Sequence, residues 1–203
     1  RYDEVLSAVD QRAAETLAHG WMDRAQEVVE PQREDVVKAA QASLALERLI
    51  AEHRCQALCV GTCMRWLPRG FPCLGFSQLN GRGIPAACDG DMDCALTMLV
   101  LQYALNRAGF LGNAAGVDLA RNAFHLSHCS APLKMEGPDG PEAPYRLRRH
   151  AELRGGAVPE VHYRVGQKLT FTKMVHLESM LLFTGKLLEV PEVPAGTERG
   201  ADL

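Results

Sequence analysis

The chain has 203 residues, 47% of them hydrophobic and 23% charged, with a formal net charge of −3. That length can bury a sizeable core, and the composition is that of a globular protein rather than a disordered one. The slightly acidic balance gives no reason to expect a nucleic-acid partner, and no apolar run approaches the roughly 18 residues of a membrane span.

The chain opens on Arg1-Tyr2-Asp3-Glu4, with neither an initiator Met nor an apolar signal segment. It runs straight into a helical pattern, and Val190 to Gly196 leads into polar residues without a closing element. A fragment of a longer, cytoplasmic protein is expected. The seven cysteines are an odd count, which fits a reducing compartment. Cys55, Cys59, Cys88, Cys94 and Cys129 lie in apolar stretches, where free cysteine acts as a small hydrophobe. The spacing Cys55, Cys59, Cys63 is not that of a zinc pair, and buried thiols are the plainer reading.

Taken in chain order, Val5, Leu6, Val9, Ala13 and Leu17 predict a helix from Asp3 to Leu17. Pro31 precedes a second helix, Glu34 to His53, with an apolar stripe through Val36, Val37, Ala40, Leu44 and Ile50. Ala57 to Gly61 reads as a buried strand, and Pro68, Gly70 and Pro72 keep the next stretch irregular. Cys73 to Leu79 suits a short helix, Asn80-Gly81-Arg82-Gly83 a turn, and Ile84 to Cys88 another buried strand. Asp91 to Asn106 is apolar almost all round, the pattern of a sandwiched helix. Ala108 to Leu111 and Ala123 to Ser127 are further strands.

This alternation predicts an α/β fold, an open parallel-sheet, Rossmann-like domain over residues 1–132. Lys134 to Pro144, with two Gly and three Pro, is a linker. Short β-like runs come after it: Tyr145 to Leu153, Val161 to Val165, Lys168 to Val175 and Met180 to Val190. Residues 133–203 therefore read as an antiparallel, barrel-like β-rich domain that is incomplete.

Ligands of open α/β sheets bind at the carboxyl ends of the strands. Three such ends carry polar residues: Cys88-Asp89-Gly90-Asp91, Gly112-Asn113, and His125 to Ser130. Asp91 begins a helix, so capping the free backbone N–H groups is a sufficient reason for it. Asp89 is harder to explain structurally, because a carboxylate between an apolar strand and Gly90 must be solvated, paired or bound to a metal. Asn113 fits a cation ligand and a turn residue equally well. Strand alternation puts His125 and Ser127 on one face and His128 on the other. His128, nearer the strand end, is the better site residue, with a packed structural histidine as the alternative. Arg146, Arg148, Arg149, His150 and Arg154 read as a solvated face, with contact to an anionic ligand as the lesser option.

The runs Pro72-Cys73-Leu74, Leu79 through Asp91 and Ala95-Leu96-Thr97-Met98 resemble the second domain of L-fucose/L-arabinose isomerase-like proteins. Phe110 to Asn113, His125 to Pro132, Gly166 to Thr170 and Thr184 to Glu189 are similar to the same family. The resemblance implies an aldose–ketose isomerase that moves a proton through a cis-enediol. It implies a small-molecule sugar as substrate, a homo-oligomer, and a divalent metal, usually Mn²⁺, held by a Glu, an Asp and a C-terminal His. The family Glu falls on Asp89, which is thereby marked as catalytic and metal-binding, and the family Asp falls on Asn113 as a second metal ligand. Asp91 and His128 are marked as substrate-binding. Asp89 is shorter than Glu by one C–C bond, roughly 1.5 Å, and Asn113 lacks the charge of Asp. The family's histidine is expected beyond Leu203, and its N-terminal domain outside this chain. A non-catalytic sugar-binding relative with a degenerate metal site is the alternative. So is an isomerase that uses Asp91, His128 or Cys129 as replacement ligands.

Overall fold

The computed structural model describes residues 1–61 and 69–191. The N-terminal helix expected from Asp3 to Leu17 is two helices, α1 (Tyr2–Ser7) and α2 (Gln11–Arg24). The break comes at Asp10, whose side chain accepts a hydrogen bond from the Ala13 backbone N–H at 2.7 Å. An acidic residue that satisfies an orphan donor in this way restarts the helix. A two-residue strand, β1 (Glu27–Val28), comes next.

Helix α3 (Arg33–His53) starts where the Asp35 carboxylate accepts from the Gln32 backbone N–H at 2.9 Å. It ends at Arg54, whose φ of 51° is the left-handed conformation common at helix C-termini. The expected strand at Ala57 to Gly61 is β2 (Leu58–Cys59), and the one at Ile84 to Cys88 is β3 (Ala86–Ala87). They pair in parallel, Leu58 beside Ala86. Between them lies α4 (Cys73–Gly81), almost wholly buried. Asn80, expected in a turn, closes α4 and braces β3. Its Oδ1 accepts from the Ala86 N–H at 2.7 Å and its amide donates to the Ala86 carbonyl at 3.2 Å. Pro68 and Cys63 lie outside the described residues.

Helix α5 (Met92–Leu105) forms where expected but is not sandwiched among the described residues. Ala95, Thr97 and Met98 are buried, while Met92 and Tyr103 are 60% and 67% exposed. Ala108 to Leu111 forms no strand; Ala108 and Leu111 are buried in an irregular connection. The next strands, β4 (Asn113–Asp118) and β5 (Ala123–Ser127), form an antiparallel hairpin. Strands β6 (Tyr145–Arg148) and β7 (Val158–Val161) are antiparallel partners, and β1 adds in parallel to β6. The run expected at Val161 to Val165 is thus shifted towards the N-terminus. Strands β8 (Lys168–Val175) and β9 (Ser179–Lys186) make a long hairpin near the positions read from the sequence.

The fold is mixed α/β, with small sheets, some parallel, and no closed barrel among the described residues. The main core joins α2, α3 and β6 around Trp21, Val36, Tyr145 and Leu147, each nearly inaccessible. Burial of such side chains contributes about 1.5–3 kcal/mol apiece. The Tyr145 hydroxyl donates to the Trp21 carbonyl at 2.6 Å, and the Trp21 indole N–H donates to Gln78 Oε1 at 2.9 Å. These bonds satisfy the polar ends of two large aromatic side chains. A second apolar group, Phe124, Phe171 and Phe183, joins the two hairpins, with Phe171 and Phe183 stacked at 4.9 Å between centroids. Among the described residues no helix is long and apolar enough to cross a membrane.

The arginine-rich segment is not a solvated face. Arg148 is 5% exposed, and its guanidinium binds Glu30 on one side and Glu160 on the other, at 2.8 and 2.7 Å. Arg146 donates to the same Glu160 at 2.6 Å. Arg149 and Arg154 are the arginines of the segment that stay exposed. The partner Glu30 is 118 residues away in sequence, so a local pattern of charges cannot reveal the pairing.

Candidate functional site

The parallel pair β2–β3 ends in a tight turn that positions the site. The Val60 N–H donates to the Ala87 carbonyl at 3.0 Å, and the Gly90 N–H donates back to the Val60 carbonyl at 3.1 Å. The Asp91 N–H closes the turn on the Cys88 carbonyl at 3.2 Å. Asp89 and Gly90 occupy its centre with φ of 59° and 70°. Glycine adopts this region freely; Asp adopts it at some cost, and such strain gathers at functional sites. The result is a half-exposed Asp89 carboxylate, held above the strand ends.

His128 approaches it from just beyond β5. Its side chain is only 5% exposed, and Nε2 lies 3.5 Å from Asp89 Oδ2. On the other side of the ring, Nδ1 lies 2.8 Å from the Ser130 hydroxyl. A proton on Nδ1, donated to Ser130, leaves Nε2 as a free lone pair aimed at Asp89. Cys88, 1% exposed, supplies a sulfur to the same spot. Cys88, Asp89 and His128 present ligand atoms that all lie within 4.8 Å of one another.

This donor set fits a divalent cation. Ligand bonds of 2.0–2.3 Å in a tetrahedral site put donor atoms roughly 3.3–3.8 Å apart. The His128–Asp89 separation is already at that spacing. The Ser130 bond supplies the outer partner that metal-binding histidines use to fix their tautomer.

The other residues named from the sequence fall around this centre. Asp91 caps α5, accepting from the Cys94 N–H at 2.8 Å, and pairs with Lys173 of β8 at 2.7 Å. Partial burial pushes its carboxyl up, but Lys173 and the Cys94 N–H prevail and hold it below the ordinary carboxylate value. Asn113 is exposed at the start of β4, paired in register with Ser127, the residue before His128. Cys88, a small hydrophobe by its sequence setting, is the unforeseen third donor. Its place beside Asp89 at a strand end is the signal that could have found it.

The thiols nearby divide into two kinds. Burial, with Asp91 close by, pushes the Cys94 thiol up to about 11, and burial also raises Cys59. Both are held protonated at neutral pH. Cys129 behaves oppositely. The Cys73 thiol beside it and, against the cost of burial, the rings of His128 and His150 hold it well below the ordinary thiol range. Burial pushes His128 down, and Cys129 and Asp89 more than offset this, leaving its pKa raised. Cys55, expected in an apolar setting, is exposed.

No family model matches this sequence. The sulfoquinovose isomerase of Alkalicoccus urumqiensis is 30% identical over 185 residues, which is 80% of this chain and 37% of that relative. The chain is therefore similar to a sugar isomerase over most of its own length, and it spans little more than a third of that relative.

Proposed function

We propose that this chain is part of a metal-dependent aldose–ketose isomerase of the fucose/arabinose type. The observation that carries the reading is the meeting of Asp89 and His128, with Cys88, at the carboxyl ends of β2 and β3. The likeness to a sulfoquinovose isomerase supports it. The substrate class is a sugar, with a sulfonated aldose the first to try.

In this reading Cys88, Asp89 and His128 hold the ion. A divalent cation held there would supply Lewis-acid stabilisation of negative charge developing on a bound sugar. A set of thiolate, imidazole and carboxylate favours Zn²⁺, Co²⁺ or Fe²⁺ over the Mn²⁺ that the family resemblance implies. The half-exposed Asp89 carboxylate has the access needed to take a proton from one sugar carbon and return it to the next. The buried His128 ring, fixed by Ser130 at Nδ1, would offer Nε2 to the ion beside Asp89.

The domain plan that goes with this reading is an α/β domain, to whose sheet and core β6 and β7 contribute, and then the start of a β-rich domain. The exposed apolar side of α5, at Val100 and Tyr103, suits a cytoplasmic homo-oligomer whose copies cover it. A second reading, a sugar-binding relative without catalysis, is favoured by Asn113, whose amide carries no charge to a metal.

The test uses the full-length protein in deuterated water with an aldose and its sulfonated analogue. Isomerisation with solvent deuterium entering beside the carbonyl is expected, with at least a hundredfold loss in Asp89→Asn. Sugar binding without conversion would favour the second reading and overturn the first.

A further inference from the structure

We infer that Cys73 and Cys129 form a redox-active dithiol, and that its closure to a disulfide clamps the segment carrying His128 to the first turn of α4. The two sulfurs lie 3.3 Å apart although the residues are 56 positions apart in sequence. Cys73 is the first residue of α4, and Cys129 directly follows His128 beyond β5. A disulfide bond is about 2.05 Å long, so closure needs an approach of roughly 1.3 Å, within reach of a small side-chain rotation. The inference stands on this geometry and does not depend on the metal reading.

Access assigns the order of events. Cys73 is 1% exposed and packs with Phe71 and Val158, whereas Cys129 is half-buried at the edge of the same cluster. Cys129 therefore meets the oxidant, here a hydroperoxide. Its sulfur attacks one peroxide oxygen, the O–O bond breaks, and a sulfenic acid forms with loss of water (or of the alcohol, from an organic hydroperoxide). The Cys73 sulfur then attacks the Cys129 sulfur. The S–S bond forms, the S–O bond breaks, and a second molecule of water leaves with the remaining thiol proton. Two thiols are oxidised by two electrons, and one peroxide is reduced.

Closure acts on His128 because of where the pair sits. Cys129 Sγ is 3.8 Å from His128 Nδ1, and Ser130, which holds that nitrogen, is the next residue on. Tying Cys129 to a buried helix terminus fixes the backbone of this three-residue segment.

The test treats the fully reduced chain with stepwise hydrogen peroxide, then alkylates remaining thiols under denaturing conditions and maps the peptides without reduction. The expected result is loss of two alkylatable thiols and a Cys73–Cys129 cross-linked peptide, about 2 Da below the sum of its parts and released by dithiothreitol. Backbone amides of His128, Cys129 and Ser130 should exchange at least about tenfold more slowly in the oxidised chain. In Cys73→Ser, Cys129 should instead accumulate as a sulfenic acid trapped by dimedone. A Cys129 bonded to another cysteine, or both thiols still alkylated after other cysteines have oxidised, would overturn the proposal. The wild-type peptide map decides this even where Cys73→Ser fails to fold. Unchanged exchange in a cross-linked chain would overturn the clamp.

Discussion

The charged and polar groups at β6–β7 and those at the β2–β3 strand ends are built in opposite ways. At β6–β7, Glu160 is 4% exposed and accepts from Arg146, Arg148 and His162, while Glu30 takes the other side of Arg148. Donors and acceptors there face one another at 2.6–3.2 Å. At the β2–β3 strand ends, Asp89 and His128 stand 3.5 Å apart, on a backbone turn that costs energy to hold. Charges packed into full mutual contact hold a sheet together. The wider spacing of Asp89 and His128, on a strained and half-open turn, is what the proposed cation site calls for.

The contrast sets an order of expected effects. Glu160→Ala should be the most damaging change, because it removes the buried carboxylate shared by Arg146 and Arg148 and leaves Glu30 as the carboxylate partner of buried Arg148. A loss of about 3–5 kcal/mol is expected in urea unfolding, and a loss under 1 kcal/mol would remove the structural half of the comparison. Asp91→Ala comes next. It deletes both the cap of α5 and the Lys173 pair, for about 1–2 kcal/mol by the same measurement.

The pH dependence of Asp91 has a definite sign. Its folded carboxyl titrates below the ordinary 3.8, so the unfolded chain takes up the proton first on acidification. Its contribution is complete above that value and is lost as pH falls through the folded one. Lys173 mirrors it, raised above 10.5 by Asp91, with a contribution present below that value and lost as pH rises through the folded one. Unfolding monitored against pH should show both limbs, and Asp91→Asn should remove the acid limb. The smallest stability effect is expected at Asp89. Asp89→Gly relieves the left-handed turn and should leave stability within about 1 kcal/mol while removing the site. A large loss of stability would make Asp89 a structural residue.

Much of this is legible in the sequence, and the limits have physical causes. Apolar periodicity locates α3, α5 and β8, and strand-end logic singles out Asp89 and His128, which the structure brings to 3.5 Å of each other. The break at Asp10 is hidden because Val5, Val9, Ala13 and Leu17 keep a helical rhythm across it. The two-residue β1 is too short to carry a pattern, and its pairing with β6 is set by contacts far apart in sequence. The sequence places a strand at Ala108 to Leu111, where none forms, and leaves β4 unread, because its Asn113, Gly116 and Asp118 look like turn chemistry rather than a buried strand. Burial of Arg148 depends on Glu30, and the role of Cys88 on His128; neither partner is near in the chain. On α5 the all-round apolar pattern shows which surface avoids water, but not what covers it.

The central claim is that Cys88, Asp89 and His128 form one cation site, and cobalt spectroscopy tests it most directly. Co²⁺ titrated into the reduced chain should bind one ion, with a thiolate-to-metal absorption band that vanishes in Cys88→Ala. Affinity should fall at least about tenfold in both Asp89→Ala and His128→Ala. Absence of binding, or binding unchanged by all three substitutions, would contradict it.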